Sequence, residues 1–495
     1  MKIHFIKTPD TREIYPSLGF SYIMSELIHK RLEVEFIDTN LIDYPYDLLR
    51  KNPRKSIQVE PNWEKIKSVL EKKDVQYAFL TGSFTKYIHN TAKTAEILKK
   101  INSDCVTIVG GVHVSFLPEE TLKMFENIDY VIIGEGERVS ENLLYNLIKN
   151  KDIDGLSSLA YKIDGKVVIN EREYLENDID NFNYPAKSLW PVSEYREIWK
   201  YLWSGRDPLG IVMTSRGCIG KCIFCASGRK EILENRLRFR SFENIKGEIE
   251  YLIKTFKITS LDFIDDCFTC DKDRLLKICS YLKKKNIPWL CKSRVDTVSY
   301  ETLTEMKESG CRSVFLGVES ADDKVLKTMG KGTNLDEIKK CFQLFQDIGL
   351  EFTASFTIGH PNEDKESMEK TICLAKSIAK KGIGVGFYLI TPYPGTALYD
   401  MSVQNGWLYS QDWKLFDQLN KNNSVYAPEG WTPRELTKFY RSAWYRIDRA
   451  HIVGKLFSAS YIGATLKKLK SLQEIQILFS TFVNVVKRSI LRRSS

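Results

Sequence analysis

Three cysteines crowd one short stretch, Ser215-Arg216-Gly217-Cys218-Ile219-Gly220-Lys221-Cys222-Ile223-Phe224-Cys225, with the spacing C-x3-C-x2-C. Thiolates are the usual protein ligands of iron–sulfur clusters. Three of them from one loop would leave one iron of a [4Fe–4S] cluster without a protein ligand, open to bind and activate a small molecule. Gly217 and Gly220 give the loop freedom to wrap a cluster, and Arg216 and Lys221 stand close enough in sequence to offset its negative charge. The competing reading is a zinc knuckle, or three unrelated thiols. Zinc usually takes a fourth Cys or His nearby, and no histidine occurs between His113 and His360. Iron–sulfur ligation is therefore the stronger expectation.

The cysteines follow an apolar run, 209–214, that reads as a strand. Strand-like runs at 260–264, 289–292, 313–318, 351–358 and 384–390 then alternate with helical stretches. That order predicts a full or partial (β/α) barrel over 205–400, with chemistry on the loops after the strands. Residues 1–150 show the same alternation, with strands at 2–6, 34–37, 77–80, 106–109 and 130–133. Here a doubly wound α/β sheet is expected, with ligands beyond the carboxyl ends of its parallel strands. Thr81-Gly82-Ser83, Gly110-Gly111 and Gly134-Glu135-Gly136 fall at such ends. Residues 151–204 read as a connector with a hairpin at Asp164-Gly165, and 401–495 as mainly helical.

The chain has 495 residues, a hydrophobic fraction of 43% and a net charge of +9, ordinary globular values. Its eleven cysteines, an odd number scattered along the chain, argue against a disulfide scaffold and for a reducing, cytoplasmic setting. Nothing near the start reads as a signal peptide, and no charge-free apolar run is long enough to span a membrane. Segment 465–495 carries seven Lys and Arg against one Glu. Apolar residues recur at helical spacing over 475–491. Packing of that helix against the barrel is favoured over contact with an anionic membrane. Cys267 and Cys270 form a C-x2-C at a strand end and read as barrel-mouth residues rather than a redox pair.

The cysteine pattern, with Phe224 at its aromatic position, resembles the signature of the radical S-adenosylmethionine (SAM) superfamily. The resemblance implies that Cys218, Cys222 and Cys225 hold a [4Fe–4S] cluster whose open iron chelates SAM. Reductive cleavage would then yield a radical that abstracts hydrogen from an unactivated carbon. Further runs fall in the family's order: Phe263-Ile264-Asp265-Asp266-Cys267-Phe268, Ser293-Arg294-Val295-Asp296, Phe315-Leu316-Gly317-Val318-Glu319-Ser320, Phe356-Thr357-Ile358-Gly359-His360-Pro361 and Pro392-Tyr393-Pro394-Gly395-Thr396. They imply SAM contacts from Phe224, Asp265, Asp266, Arg294, Glu319, Ser320 and Gly359.

Val109-Gly110-Gly111-Val112-His113, Pro16-Ser17-Leu18-Gly19 and Gly134-Glu135-Gly136-Glu137 resemble the cobalamin domains of B12-binding radical SAM enzymes. The implied cobalamin contacts are Leu18, Gly19, Thr81, Gly82, Ser83, Gly110, Gly111, His113 and Gly134. The Asp-x-His-x-x-Gly run of many cobalamin proteins is missing, so cobalt is expected to take no protein histidine. The alternative for this domain is a flavodoxin-like sheet that binds a nucleotide or no cofactor. The stretch 439–449 resembles relatives of the anaerobic magnesium-protoporphyrin cyclase.

The resemblance implies a cobalamin-dependent methyltransferase acting on an unactivated carbon of a small molecule, with electrons from an external donor. A hydrophobic substrate is suggested only by the amphipathic tail. The alternatives are a cobalamin-assisted oxidative cyclase or rearrangement enzyme, and a non-catalytic redox or RNA-binding protein. No interleaved run of basic and aromatic residues marks a nucleic-acid module.

Overall fold

A computed structural model describes residues 2–10, 15–47, 60–172, 176–202, 205–228, 236–416 and 424–456. The first sheet holds strands β1 (Lys2–Lys7), β2 (Glu33–Asp38), β3 (Tyr77–Thr81), β4 (Val106–Gly110), β5 (Tyr130–Ile132), β6 (Leu159–Ile163) and β7 (Lys166–Ile169). Their order is β2-β1-β3-β4-β5-β6-β7. Strands β1 to β5 pair in parallel, and β6–β7 adds antiparallel to β5. Successive side chains of a strand feed opposite faces. Phe79 and Ile108 pack into one core with Phe5 and Phe20, while Leu80 and Val109 enter another with Ile6. Apolar runs without a polar face are the consequence of burying both sides.

The hairpin at Asp164-Gly165 has both turn residues at positive φ, +50° and +76°, as a tight two-residue turn requires. It completes the edge of the first sheet instead of standing apart as a link. The segment behind it bridges both sheets. Trp190 donates to Ser21 at 2.7 Å and Tyr195 to Asp38 at 2.6 Å, on the first sheet's side. Lys187 is wholly buried on the other side. Its ammonium donates to the carbonyls of Leu209 and Ile211 and meets Glu248 at 3.2 Å.

The second sheet holds β8 (Ile211–Val212), β11 (Leu261–Phe263), β12 (Trp289–Arg294), β13 (Cys311–Glu319), β14 (Glu351–Ile358) and β15 (Gly384–Leu389). Between β8 and β11 lies a separate ribbon, β9 (Ser215–Arg216) with β10 (Arg238–Phe239). The sheet order is β15-β14-β13-β12-β11-β8, all parallel, with β8 and β15 at the two edges. Of the full and partial barrels left open by the sequence, this is the partial one. Helix Pro433–Leu456 covers the β15 side. Tyr440 stacks on Phe387 at 5.8 Å, and Arg446 pairs with Glu369 through two bonds of 2.7 and 2.6 Å. No helix among the described residues is long and apolar enough to cross a membrane. The amphipathic segment 475–491 lies outside the described residues.

Candidate functional site

Strand β8 ends where the cysteine loop begins, and two buried groups fix that point. Asp265, just beyond β11, accepts from the Thr214 N–H at 3.1 Å, from the Thr214 hydroxyl at 2.7 Å and from Ser215. Arg274 donates to Phe268 O at 2.8 Å and to Thr214. Asp265 is thus occupied in holding the strand end, and its carboxylate is not offered to a ligand. Asp266 is exposed and faces the cysteine side, accepting from Ser227 at 2.8 Å.

The sulfurs of Cys218 and Cys222 converge on Gly220. A Cβ there would lie 3.5 and 3.6 Å from them and 2.8 Å from Arg294 Nη1. Gly220 donates its N–H to Cys218 Sγ at 3.4 Å. Burial pushes all three thiols up, Cys225 to about 11, while Lys331 and Arg294 pull Cys222 back down. Metal ligation must displace those protons, so uptake should release them. Among the described residues, no three His, Cys, Asp or Glu side chains close on a single ion.

The cations beside the thiols differ from those the sequence suggested. Lys221 is exposed, and Arg216 turns away to Glu135 and Glu137. Arg294 and Lys331 take their place. Arg294 is oriented by Asp296 at 2.8 and 2.9 Å and by the carbonyl of Lys331 at 2.6 Å. Lys331 pairs with Glu319 at 3.2 Å. Glu319 ends β13 at φ +73°, a left-handed conformation uncommon for a side chain of this size, beside a register shift. Nothing local in the sequence announced Lys331, which reaches the site only because the turn after helix Asp323–Thr328 folds back. The same turn binds the cysteine loop, with Ile223 N–H donating to Met329 O at 3.0 Å.

Cys218, Cys222, Cys225, Asp266, Arg294 and Glu319 therefore gather at the carboxyl ends of the strands. Phe224 joins them at the edge, 5.6 Å from His360 between ring centres, which draws the end of β14 to the loop. Ser320 is buried against Thr371 at 3.1 Å. Gly359 gives its N–H to Glu363 at 2.6 Å. These bonds fix the ends of β13 and β14. Cys267 is buried against Thr297 at 3.6 Å, its thiol pulled down chiefly by Cys270.

In the first sheet a cavity of about 240 Å3 opens between the carboxyl ends of β1 and β3. These adjacent strands run to opposite sides of the sheet's order, the place where open α/β sheets bind ligands. Leu18, Gly19, Thr81 and Ser83 line it, joined by Lys7, Thr8 and Tyr15, which the sequence reading missed. Helix Leu18–His29 begins there without a side-chain cap, and a Cβ on Gly19 would meet nothing within 4 Å. Free helix N–H groups suit a phosphate-bearing ligand. Lys7 and Ser83 add polar groups to the lining, while the Thr8 and Thr81 hydroxyls bond to each other at 2.9 Å.

Gly82 and Gly111 stand where two loops pack closely. A Cβ on Gly82 would meet Val109 at 2.6 Å, and one on Gly111, at φ +138°, would meet the Gly82 and Ser83 backbone at 2.7 Å. They let two loops close on each other; Gly110 accepts from the Gly82 N–H at 2.7 Å. Gly134 donates to Ser115 at 2.9 Å. His113 is buried against Thr85 at 3.1 Å and edge-on to Trp413 at 4.6 Å, and burial lowers it to about 3. It lies outside the cavity lining, and among the described residues its buried Nε2 has no partner.

Two family models match the chain: the B12 binding domain over 11–144 and the radical SAM superfamily over 212–375. An uncharacterized methyltransferase of Pyrococcus horikoshii is 30% identical over 432 residues, covering 87% of each chain. The anaerobic magnesium-protoporphyrin IX monomethyl ester cyclase of Rubrivivax gelatinosus is 28% identical over 64% of this chain and 57% of its own. The radical SAM methyltransferase TsrM of Kitasatospora setae, solved with cobalamin and a [4Fe–4S] cluster, superposes with a TM-score of 0.69. It shares 13% identity, over 91% of this chain and 88% of that one.

Proposed function

Since the chain belongs to the B12-binding radical SAM enzymes, we propose that it transfers a methyl group from SAM to an unactivated carbon of a small molecule. The convergence of the Cys218 and Cys222 sulfurs on Gly220, with Arg294 beside them, supports the cluster site on which this reading depends. When bound, a [4Fe–4S] cluster supplies the electron that cleaves SAM, and cobalamin carries the methyl group. The chain's own residues would do the rest. Arg294 and Lys331 balance thiolate charge. Glu319 and Asp266 offer acceptors to the ammonium and hydroxyl groups of SAM. Thr8, Thr81, Ser83 and the start of helix Leu18–His29 would hold the cobalamin arm. The methyltransferase relative matches over most of both chains, which favours methylation over the cyclase reading.

The test supplies SAM with a trideuterated methyl group to the loaded enzyme, together with small-molecule candidates and a low-potential reductant. Methylation predicts a product heavier by one labelled methyl. A product lighter by two hydrogens with no label would mean oxidative cyclisation and would overturn the methyl-transfer reading.

A further inference from the structure

The β9–β10 ribbon pairs the residues on either side of the cysteine loop and forms its neck. There Arg216 is the direct cross-strand partner of Arg238. Like charges so placed repel, and both side chains are nearly buried, 12% and 5% exposed. Each closes on a carboxylate from the first sheet. Glu135, in the turn after β5, accepts from Arg238 through both oxygens at 2.5 and 3.1 Å and lies 3.1 Å from Arg216 Nη1. Glu137 accepts from Arg216 Nη2 at 2.6 Å. Two cations and two anions balance, and the Arg216 guanidinium also lies over Phe182 at 4.8 Å and Tyr22 at 5.2 Å.

The turn that carries both carboxylates is itself fixed. A Cβ on Gly136 would come within 2.8 Å of Ile23 Cδ1. Ile23 and Tyr22 belong to helix Leu18–His29, whose first residues line the cavity of the first sheet. A continuous path of contacts therefore runs from that cavity, along one helix, through the Glu135–Glu137 turn, to both stems of the loop that carries Cys218, Cys222 and Cys225.

We infer that Glu135 and Glu137 are positioning residues of the cobalamin domain that hold the neck of the cluster loop shut and set the loop against that domain. Glu135 has the larger part, because among the described residues it alone pairs with both facing arginines. The inference rests on the reading of the three cysteines as the cluster site.

The full-length chain is compared with its Glu135→Gln variant and with the double variant Glu135→Gln/Arg238→Gln, which removes the repulsion along with the clamp. In the metal-free chain, N-ethylmaleimide labelling is followed cysteine by cysteine by peptide mass. After anaerobic loading with iron and sulfide, the reduced cluster's electron paramagnetic resonance spectrum is recorded with and without SAM. Glu135→Gln should label Cys218, Cys222 and Cys225 at least about fivefold faster, with the buried Cys105 and Cys341 unchanged. It should also weaken the spectral change that SAM causes. The double variant should label the three cysteines at close to the original rate. Unchanged labelling and spectra in Glu135→Gln would overturn the inference. So would equal acceleration at Cys105 and Cys341, which would mean general loosening. An original chain that binds no iron would sink the cluster reading instead, and the metal-free labelling tells that failure apart from this one.

Discussion

Glutamine at position 363 should make the chain more stable relative to the original as pH rises. Glu363 is 2% exposed in the turn after β14. One carboxyl oxygen accepts from the N–H groups of Gly359 and His360, at 2.6 and 2.9 Å. Among the described residues the other, which is buried, has no partner, and neither has the buried hydroxyl of Tyr426. Burial outweighs the two donors and pushes the carboxyl from 4.5 up to about 8. The unfolded chain gives up this proton near its ordinary value, and the folded chain holds it until about pH 8. Between those limits the folded state binds more protons. Its stability is therefore greatest below the unfolded pKa and falls through the window by up to about 1.4 kcal/mol per pH unit. The whole window amounts to roughly 3–5 kcal/mol. Glu363→Gln keeps an acceptor for the same two N–H groups and cannot ionise. Urea unfolding of both metal-free proteins at pH 5, 6, 7 and 8 gives the comparison. The difference should grow in the variant's favour by about 1 kcal/mol per pH unit. A constant difference, within about 0.5 kcal/mol, would refute the neutral buried carboxyl.

Gly220→Ala puts a methyl group where two thiols and Arg294 converge. Iron uptake should fall by more than about half while cobalt binding holds, measured by metal analysis. Gly111→Ala forces a side chain onto the Gly82–Ser83 backbone at φ +138°. A loss of about 3 kcal/mol on urea unfolding is expected, with cobalt binding weakened more than iron binding. Lys187→Met strips the ammonium from the Leu209 and Ile211 carbonyls. Because Glu248 keeps Arg240 as a partner, the cost should stay near 2–3 kcal/mol, at or below the low end for breaking a buried pair, checked by the same unfolding.

The two sheets and the cysteine loop were legible because both signals are local. Apolar runs alternating with helices fix parallel strands, and the cysteine spacing fits one short loop. Thr81 and Ser83 stand at the end of β3, a local signal, and line the cavity; Leu18 and Gly19 line it too, but only the resemblance to cobalamin domains pointed to them. What the sequence hid is which way a side chain turns at a strand end. Asp265 and Asp266 are neighbours, yet one pins Thr214 and Ser215 while the other faces the thiols. Arg216 sits two residues from Cys218 and points to another sheet. Lys331 is over a hundred residues from the cysteines and reaches them through a turn. Such pairings depend on tertiary packing, which periodicity does not encode. His113 beside a glycine pair looked like a ligand contact, and only the packing of Trp413 from far along the chain reveals it as core.

Metal content tests the central claim most directly. The chain is purified without oxygen, reconstituted with iron, sulfide and hydroxocobalamin, and compared with Cys218→Ala/Cys222→Ala/Cys225→Ala. The account expects about four irons and about one cobalt per original chain, and loss of the iron with retention of the cobalt in the triple variant. Iron held at the original level by the triple variant would contradict it.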